Sequence, residues 1–331
     1  MKPSAWSMTR LCGVLVAALA GLVSVEALAA DAWPSRPIRL VVGFAAGGPT
    51  DVIARVLAND LGQSLGQPVV VENRPGATAM IATELVANAA PDGYTLLMSS
   101  VQLGINPLLY SDRVKYDPVK SFTPVSLVTS LPLAVVAAPS VPMNSLKELV
   151  EQAKAKPGDV MYASSGLGSA PHMAGATLQA LTGTQMTHVP FKGNGPALTE
   201  VMAGRVTFMF YPMVGLAQQV AASKLKALVI CSDRPHPDFP GVPTAAAAGF
   251  PDLVNTSSWV GVVAPAGTPK PVIDRLATEL RAALAKPAVR QRMSDLGAEI
   301  VGNTPSEFSA FLARDFERWA KVISATGMKG Q

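Results

Sequence analysis

Cysteine, histidine and charge are all scarce in this chain. Its two cysteines and three histidines leave little for a metal centre, and the histidines at 172, 188 and 236 are too dispersed to stand at ligand spacing with Asp or Glu. No metal and no cofactor are expected. Charged residues make up 15% of the chain, and no basic cluster interleaves with aromatics. That excludes the usual electrostatic footprint of a nucleic-acid-binding protein. The formal net charge of +4 is mild and suits acidic ligands only weakly. A Ser/Gly-rich or charged linker is also missing, so nothing marks a simple boundary between consecutive domains.

One long apolar run is present, at the start. Lys2 and Arg10 flank a run from Leu11 to Val25, and Ala27-Leu28-Ala29 supplies small residues for cleavage. This pattern predicts a signal peptide over residues 1–29, cut near Ala29, and delivery to the periplasm. The run is short for a membrane span of roughly 20 residues. Cleavage removes Lys2, Arg10 and Glu26, two positives and one negative, which lowers the formal charge to +3. It also removes Cys12. The remaining Cys231 sits among Leu228-Val229-Ile230 and reads as a packed thiol in a strand.

Past the leader, short apolar strands alternate with helical segments. Strands are expected at 38–42, 69–71, 95–98, 133–137, 160–163, 186–189, 206–210, 225–231 and 259–264, with a short one at 299–301. Helices fall near 52–65, 77–89, 146–155, 170–181, 196–202 and 214–222, and the tail beyond Pro269 is almost wholly helical. The rhythm predicts an α/β fold with parallel, doubly wound sheets covered by helices on both faces. Ser145 with Glu148, and Thr304 with Glu307, read as capping boxes. The stretches 122–133 and 249–258 read as two crossings between lobes. Lobe one is then residues 31–128 plus 258–331, and lobe two is 129–257.

The chemistry lies in the loops that leave strands and open helices. Gly43 to Thr50 reads Gly-Phe-Ala-Ala-Gly-Gly-Pro-Thr, a phosphate loop in outline with Pro49 where the lysine would stand. Backbone N–H groups at a helix start still favour an anion, and a small carboxylate is the natural guest. Asp51 in the first helical turn is expected to organise the loop or to meet a ligand hydroxyl or ammonium. The segment Ser164 to His172 repeats the arrangement with Ser165, Gly166, Gly168 and Ser169. In open α/β sheets ligands lie beyond the carboxyl ends of the strands, so the two loops could hold one anion between them. Lys192, in a third loop from His188 to Pro196, and Ser99 and Ser100, after the strand at 95–98, could reach the same rim. His172 near a helix start stays neutral and could bond a ligand or cap its loop. Arg74 and the two other histidines read as structural. A hydrolase built on Ser165 and His172 is an alternative, but neither serine stands in a nucleophile elbow and no acid orients the histidine.

Six motifs in order resemble one family over essentially the whole mature chain. Phe44 to Asp51 with Ala54-Arg55 resembles the first signature of the Bug (TctC-type) receptors, the periplasmic solute-binding proteins of tripartite tricarboxylate transporters. Val71 to Ala77 and Pro91 to Leu97 are similar to the next two. Tyr162 to Gly166 with His172, His188 to Gly193, and Val242-Pro243-Thr244 followed by Trp259 and Ala264 to Pro269 complete the set. The resemblance implies a two-lobed periplasmic-binding-protein-like fold with a double crossover hinge. It implies a carboxylate held by Ala46, Gly47, Gly48 and Thr50 from one lobe and by Ser164, Ser165, Gly166 and Ser169 from the other, with His172 behind them. It implies membrane transporter components as partners, and a monomer with no catalytic residues. A sensor presenting its ligand to a signalling partner is an alternative. Two departures matter. Ala77-Thr78-Ala79-Met80 stands where the family usually has glycines, and Tyr211 stands where it usually has an acid. Losing that acid removes a partner for an ammonium, so the ligand is expected to lack an amino group, with an aromatic or hydroxylated body against Tyr211.

Overall fold

The computed structural model describes residues 33–328 except Lys192 and Val214. The signal peptide expected at 1–29 and the candidate Lys192 lie outside the described residues. No helix among the described residues is long and apolar enough to cross a membrane.

From residue 36 onward the chain forms one compact unit built on two sheets. In chain order the elements begin with β1 (Ile38–Val42), α1 (Pro49–Leu65), β2 (Val69–Asn73), α2 (Met80–Ala87), β3 (Thr95–Ser100), α3 (Gln102–Leu109) and β4 (Phe122–Leu131). Then come β5 (Leu133–Ala137), α4 (Leu146–Ala155), β6 (Met161–Ser164), α5 (Ala170–Thr182), β7 (Thr187–Pro190), α6 (Asn194–Met202), β8 (Phe208–Pro212), α7 (Leu216–Ala221) and β9 (Lys226–Ile230). The last part is β10 (Ser258–Pro265), α8 (Lys270–Ala285), α9 (Pro287–Asp295), β11 (Glu299–Ile300) and α10 (Pro305–Thr326).

Sheet one runs β11-β4-β10-β3-β1-β2 and sheet two runs β7-β6-β8-β5-β9. Neither is wholly parallel, which corrects the sequence expectation. β1, β2 and β3 are parallel, as are β6, β7 and β8, but β4, β5, β9, β10 and β11 all pair antiparallel. Apart from the two-residue β11, the antiparallel members are the strands that follow or precede a passage between the sheets. The chain leaves β4 in sheet one and enters β5 in sheet two with only Pro132 between them, so the first passage is nearly one continuous extended stretch. It returns through a 3-10 turn, Pro251–Thr256, into β10. The stretch expected as a connection at 122–133 is therefore mostly a ten-residue strand of sheet one, between β10 and the short edge strand β11.

Local sequence explains the helices that matter. Proline in the first turn starts α1, a buried stripe of Ile53, Ala54, Leu57, Ala58, Leu61 and Leu65 follows the 3.6-residue period, and Gly66 ends it in the left-handed region. Thr304 and Glu307 form the complete capping box of α10. At α4 only half the box forms, because the Glu148 carboxylate accepts from the Asn144 amide instead of from Ser145.

One core joins the sheets. Val41 and Leu97 from sheet one, Val135 and Phe210 from sheet two, and Phe308 and Trp319 from α10 belong to a single buried cluster. Each such side chain contributes about 1.5–3 kcal/mol by burial. The helix α10 is pinned to β10: Trp259 meets Phe308 and Phe311 edge-on, and its Nε1 donates to Asp315 at 3.0 Å. Burial pushes the Asp315 carboxyl up, against the pull of Arg318 and Trp259. Gly261 is required there, since a Cβ would stand 2.4 Å from the Phe308 ring.

Candidate functional site

The carboxyl ends of the parallel strands carry the loops singled out by sequence. β1 and β3 are neighbours with Val42 opposite Met98, so Gly43 leaves sheet one beside Ser99, which with Ser100 is still paired to β10 rather than lying in a loop after the strand. β6 lies between β7 and β8, which sets Ser164 beside Pro190 and brings Tyr211 to the same edge of sheet two.

The first loop is braced by charge. The Asp51 side chain is buried at the start of α1, and its Oδ2 accepts the Gly47 N–H at 2.8 Å and Arg55 Nε at 3.0 Å. Oδ1 accepts Asn73 Nδ2 at 2.8 Å, and the same nitrogen donates to the Phe44 carbonyl at 3.0 Å. Burial alone would raise the Asp51 pKa, but the bonds from Arg55, Gly47 and Asn73 outweigh it and hold the carboxyl below its ordinary value. Asp51 thus closes the loop from within. Ala45, Ala46 and Gly47 face solvent, Gly48 is half-buried, and Thr50 is buried. The amides of Ala45 and Ala46 donate to nothing among the described residues. Arg74 is tied to Glu72 at 2.5 Å on the surface.

The second loop is braced by neutral rings. His188 packs against both Tyr162, 5.0 Å away centre to centre, and His172, 4.0 Å away. Its Nε2 is 2.6 Å from Ser164 Oγ, which also spans the Gly166 amide and carbonyl, each at 3.1 Å. His172 Nδ1 accepts the Gly168 N–H at 3.1 Å, and Ser169 Oγ donates to the Gly166 carbonyl at 2.7 Å. Burial, aided by the neighbouring His188, holds His172 at about 3, and burial holds His188 at about 4. Both rings are neutral near pH 7. Ser165 and Gly166 are half-exposed, whereas Ser164, Ser169 and His172 are buried. Ser165 and His172 share no hydrogen bond among the described residues, so the Ser–His pair that forms is Ser164 with His188.

The two halves meet beside these loops. A Cβ on Gly168 would stand 3.0 Å from Leu109 and 3.1 Å from Ile105, both on α3. α3 starts where β3 ends: the Ser100 hydroxyl donates to Gln102 Oε1 at 2.5 Å, and Ser99 Oγ is buried with no partner among the described residues. Asn106 Nδ2 donates to the Thr78 carbonyl at 2.8 Å. That carbonyl belongs to a turn in which Ala77, Thr78 and Ala79 all have positive φ, of 46°, 54° and 70°. Left-handed conformations are costly for residues other than glycine, and three in a row point to a segment held from outside. Gly43 holds one side, where a Cβ would lie 2.4 Å from the Ala79 Cβ. Sequence reasoning gave no role to Asn73, Gln102 or Asn106, and read His188 as structural only. Asn73 and His188 stood inside quoted motifs, and strand register alone links them to Asp51 and Ser164. Tyr211 is half-buried on β8 and burial raises its pKa. A wide depression of about 660 Å³ lies elsewhere, between α1 and the edge strand β2 toward Gly66 and Gln67, off the strand ends.

Comparisons agree with this architecture. A family model described as the tripartite tricarboxylate transporter family receptor matches residues 53–328. The Protein BugT of Bordetella pertussis is 39% identical over 98% of this chain and 99% of its own length. A solved structure of an R. palustris protein with adipate superposes with a TM-score of 0.82 at 31% identity, covering 90% of this chain and 100% of that one. MatC from Rhodopseudomonas palustris with bound malate gives a TM-score of 0.79 at 34% identity, over 88% of this chain and 100% of that one.

Proposed function

The chain belongs to the tripartite tricarboxylate transporter receptor family, and we propose that it captures a small organic carboxylate between its two glycine loops and delivers it to the membrane components of such a transporter. The family's members are periplasmic solute-binding proteins. The observation that carries the reading is the pairing of loops. Each leaves the carboxyl end of a parallel strand, opens a helix and is fastened from behind, one by Asp51 and the other by Ser164 and His188. Fastening from behind leaves the amides of Ala45 and Ala46 and the Ser165 hydroxyl to serve a guest. Preorganised donors of this kind need no ordering when the ligand arrives. The solved relatives with adipate and malate support a carboxylate as the class of guest.

In this reading residues 31–128 with 258–331, and residues 129–257, are lobes that close over the ligand, and the membrane partner recognises the closed form. The leader at 1–29 is removed on export and the receptor works as a monomer. Tyr211, standing where an acid would meet an ammonium, favours a ligand without an amino group. Mass spectrometry of ligand co-purified from the periplasm, backed by a thermal-shift screen of organic acids, tests the function directly. A bound carboxylate raises the melting temperature because it binds only the folded chain. Calorimetry tests the finer point, and tight binding of aspartate or glutamate would overturn the role of Tyr211. Loss of uptake on deleting the chain from cells that keep the membrane components tests delivery.

A further inference from the structure

Beneath the first loop lies a recess of about 10 Å³, the room of one oxygen atom or one water. It is lined by Gly43, Phe44, Ala79, Ser99, Ser100 and Gln102 among others. Two of its polar groups are idle. Ser99 is 4% exposed, and its hydroxyl is fully buried without a hydrogen-bond partner among the described residues. Gln102 is 7% exposed; its Oε1 is fixed by the Ser100 hydroxyl at 2.5 Å, while its Nε2 donates to nothing among the described residues. The Ser100 bond has a consequence for the amide. With the oxygen held, the plane is set and the NH₂ end must point away from Ser100. A buried polar group left without a partner is costly, and the Ser99 hydroxyl is one, with the open end of the Gln102 amide in the same recess beside the root of a ligand loop.

We propose that this recess is an oxygen subsite for the second carboxylate of a dicarboxylate, and that Gln102 is the residue that selects it. The inference rests on the receptor reading above and deepens it. The Gln102 NH₂ can only donate and the Ser99 hydroxyl can donate too, so one acceptor atom satisfies both. A carboxylate oxygen takes both N–H and O–H bonds, and the bond to a charged acceptor is the stronger kind. A monocarboxylate held by the loops would leave Gln102 and Ser99 unsatisfied, or satisfied by a trapped water. Gly43 and Ala79 keep the recess to the size of one oxygen, which excludes a methyl group with its poorer fit and no bonds. Discrimination thus comes from an unpaired buried polar group, a device that rejects the analogue lacking the oxygen more strongly than apolar fit can.

Calorimetry on the whole mature chain tests it, with straight-chain dicarboxylates of four to eight carbons and monocarboxylates of matching length. Wild type should prefer one dicarboxylate over its monocarboxylate by at least about tenfold, and Gln102→Leu should erase about tenfold of that preference while monocarboxylate affinity changes by less than about threefold. Gln102→Glu, which sets a negative charge in the recess, should abolish dicarboxylate binding. Ser99→Ala, which deletes only an unpartnered oxygen, should lower the preference more modestly and decides the matter if Gln102→Leu does not fold. An unchanged preference in the variants means the recess holds water only and overturns the proposal, as does a wild type that favours monocarboxylates. A wild type that binds no carboxylate at all would sink the receptor reading itself.

Discussion

The two glycine loops do one job with opposite materials. The first is held by an ionised carboxylate, a guanidinium and an amide, at a surface where Arg55 is half-exposed. The second is held by a buried hydroxyl and two stacked neutral imidazoles. A charged brace next to solvent keeps its strength because Asp51 is already ionised and fully bonded. A neutral brace in the interior keeps its strength only while its rings stay neutral. The difference predicts that acid, packing changes and charge removal act on the two loops unequally.

Acid should give the largest effect. His172 and His188 have folded pKa values of about 3 and about 4, below the ordinary 6.5. The unfolded chain therefore takes up protons first. The stability these rings contribute is fully present above pH 6.5 and is lost as pH falls toward 4 and then 3. Between pH 7 and about 4.5 the loss should reach roughly 4 kcal/mol for the pair, measured by urea unfolding across pH. Protonated His172 can no longer accept the Gly168 N–H, and two cations cannot stack 4.0 Å apart. The Asp51 brace has a depressed pKa, so its share is present above 3.8 and goes only below that. Amide exchange should show Gly168 opening before Gly47 as pH drops. The reverse order would break the comparison.

Next in size is Gly175→Ala. This glycine lies in α5 against the Tyr162 ring, where a Cβ would come within 2.3 Å of a ring carbon. Tyr162 is itself fully buried and stacked on His188, so it has nowhere to go. The substitution should destabilise the chain by about 3 kcal/mol and disturb the imidazole stack, visible in the histidine NMR shifts. Asp51→Ala should cost less, about 2 kcal/mol, because Gly47 and Arg55 can turn to water when the carboxylate is gone. Its signature is local. Exchange protection at Gly47 should vanish while Gly168 keeps its own, and carboxylate affinity should fall with it.

The first loop and the helix it opens could be read from Gly-Gly-Pro-Thr-Asp alone, because glycine, proline and a first-turn acid act within a few residues of themselves. The bracing of the second loop could not. His188 reaches Ser164 only through the parallel register of β6 and β7, in which Tyr162 stands opposite His188. β4 was hidden by its polar residues and Pro124. Ser126 and Thr129 look like turn chemistry, yet both are buried, and Ser126 Oγ donates to the Asn303 carbonyl at 2.8 Å from the far end of the chain. α3 was hidden by Asn106-Pro107, which reads as a break but lies inside the helix. Each miss is a local signal overruled by a partner distant in sequence. The mixed pairing of the sheets has the same origin, since strand direction is set by where the chain crosses and leaves no mark on the strands themselves.

The smallest effect should come from the turn that lies between the loops. Ala77, Thr78 and Ala79 are wedged between Gly43, at the root of the first loop, and Asn106, whose helix supports Gly168 of the second. Ala79→Gly removes a left-handed penalty of roughly 1 kcal/mol but adds unfolded-state freedom that offsets about half of it. A net gain of about 0.5 kcal/mol is expected in urea unfolding. The Cβ of Ala79 also faces Gly43, and losing it enlarges the recess that holds Gln102 and Ser99. Stability and selectivity should therefore move in opposite directions: the variant melts slightly higher and discriminates dicarboxylate from monocarboxylate less well. If Ala79→Gly stabilises the chain without touching selectivity, the turn serves the fold alone and the two loops are independent. If selectivity falls, the strain is what keeps the first loop shaped to its guest, and the alanines standing where glycines are usual have a use.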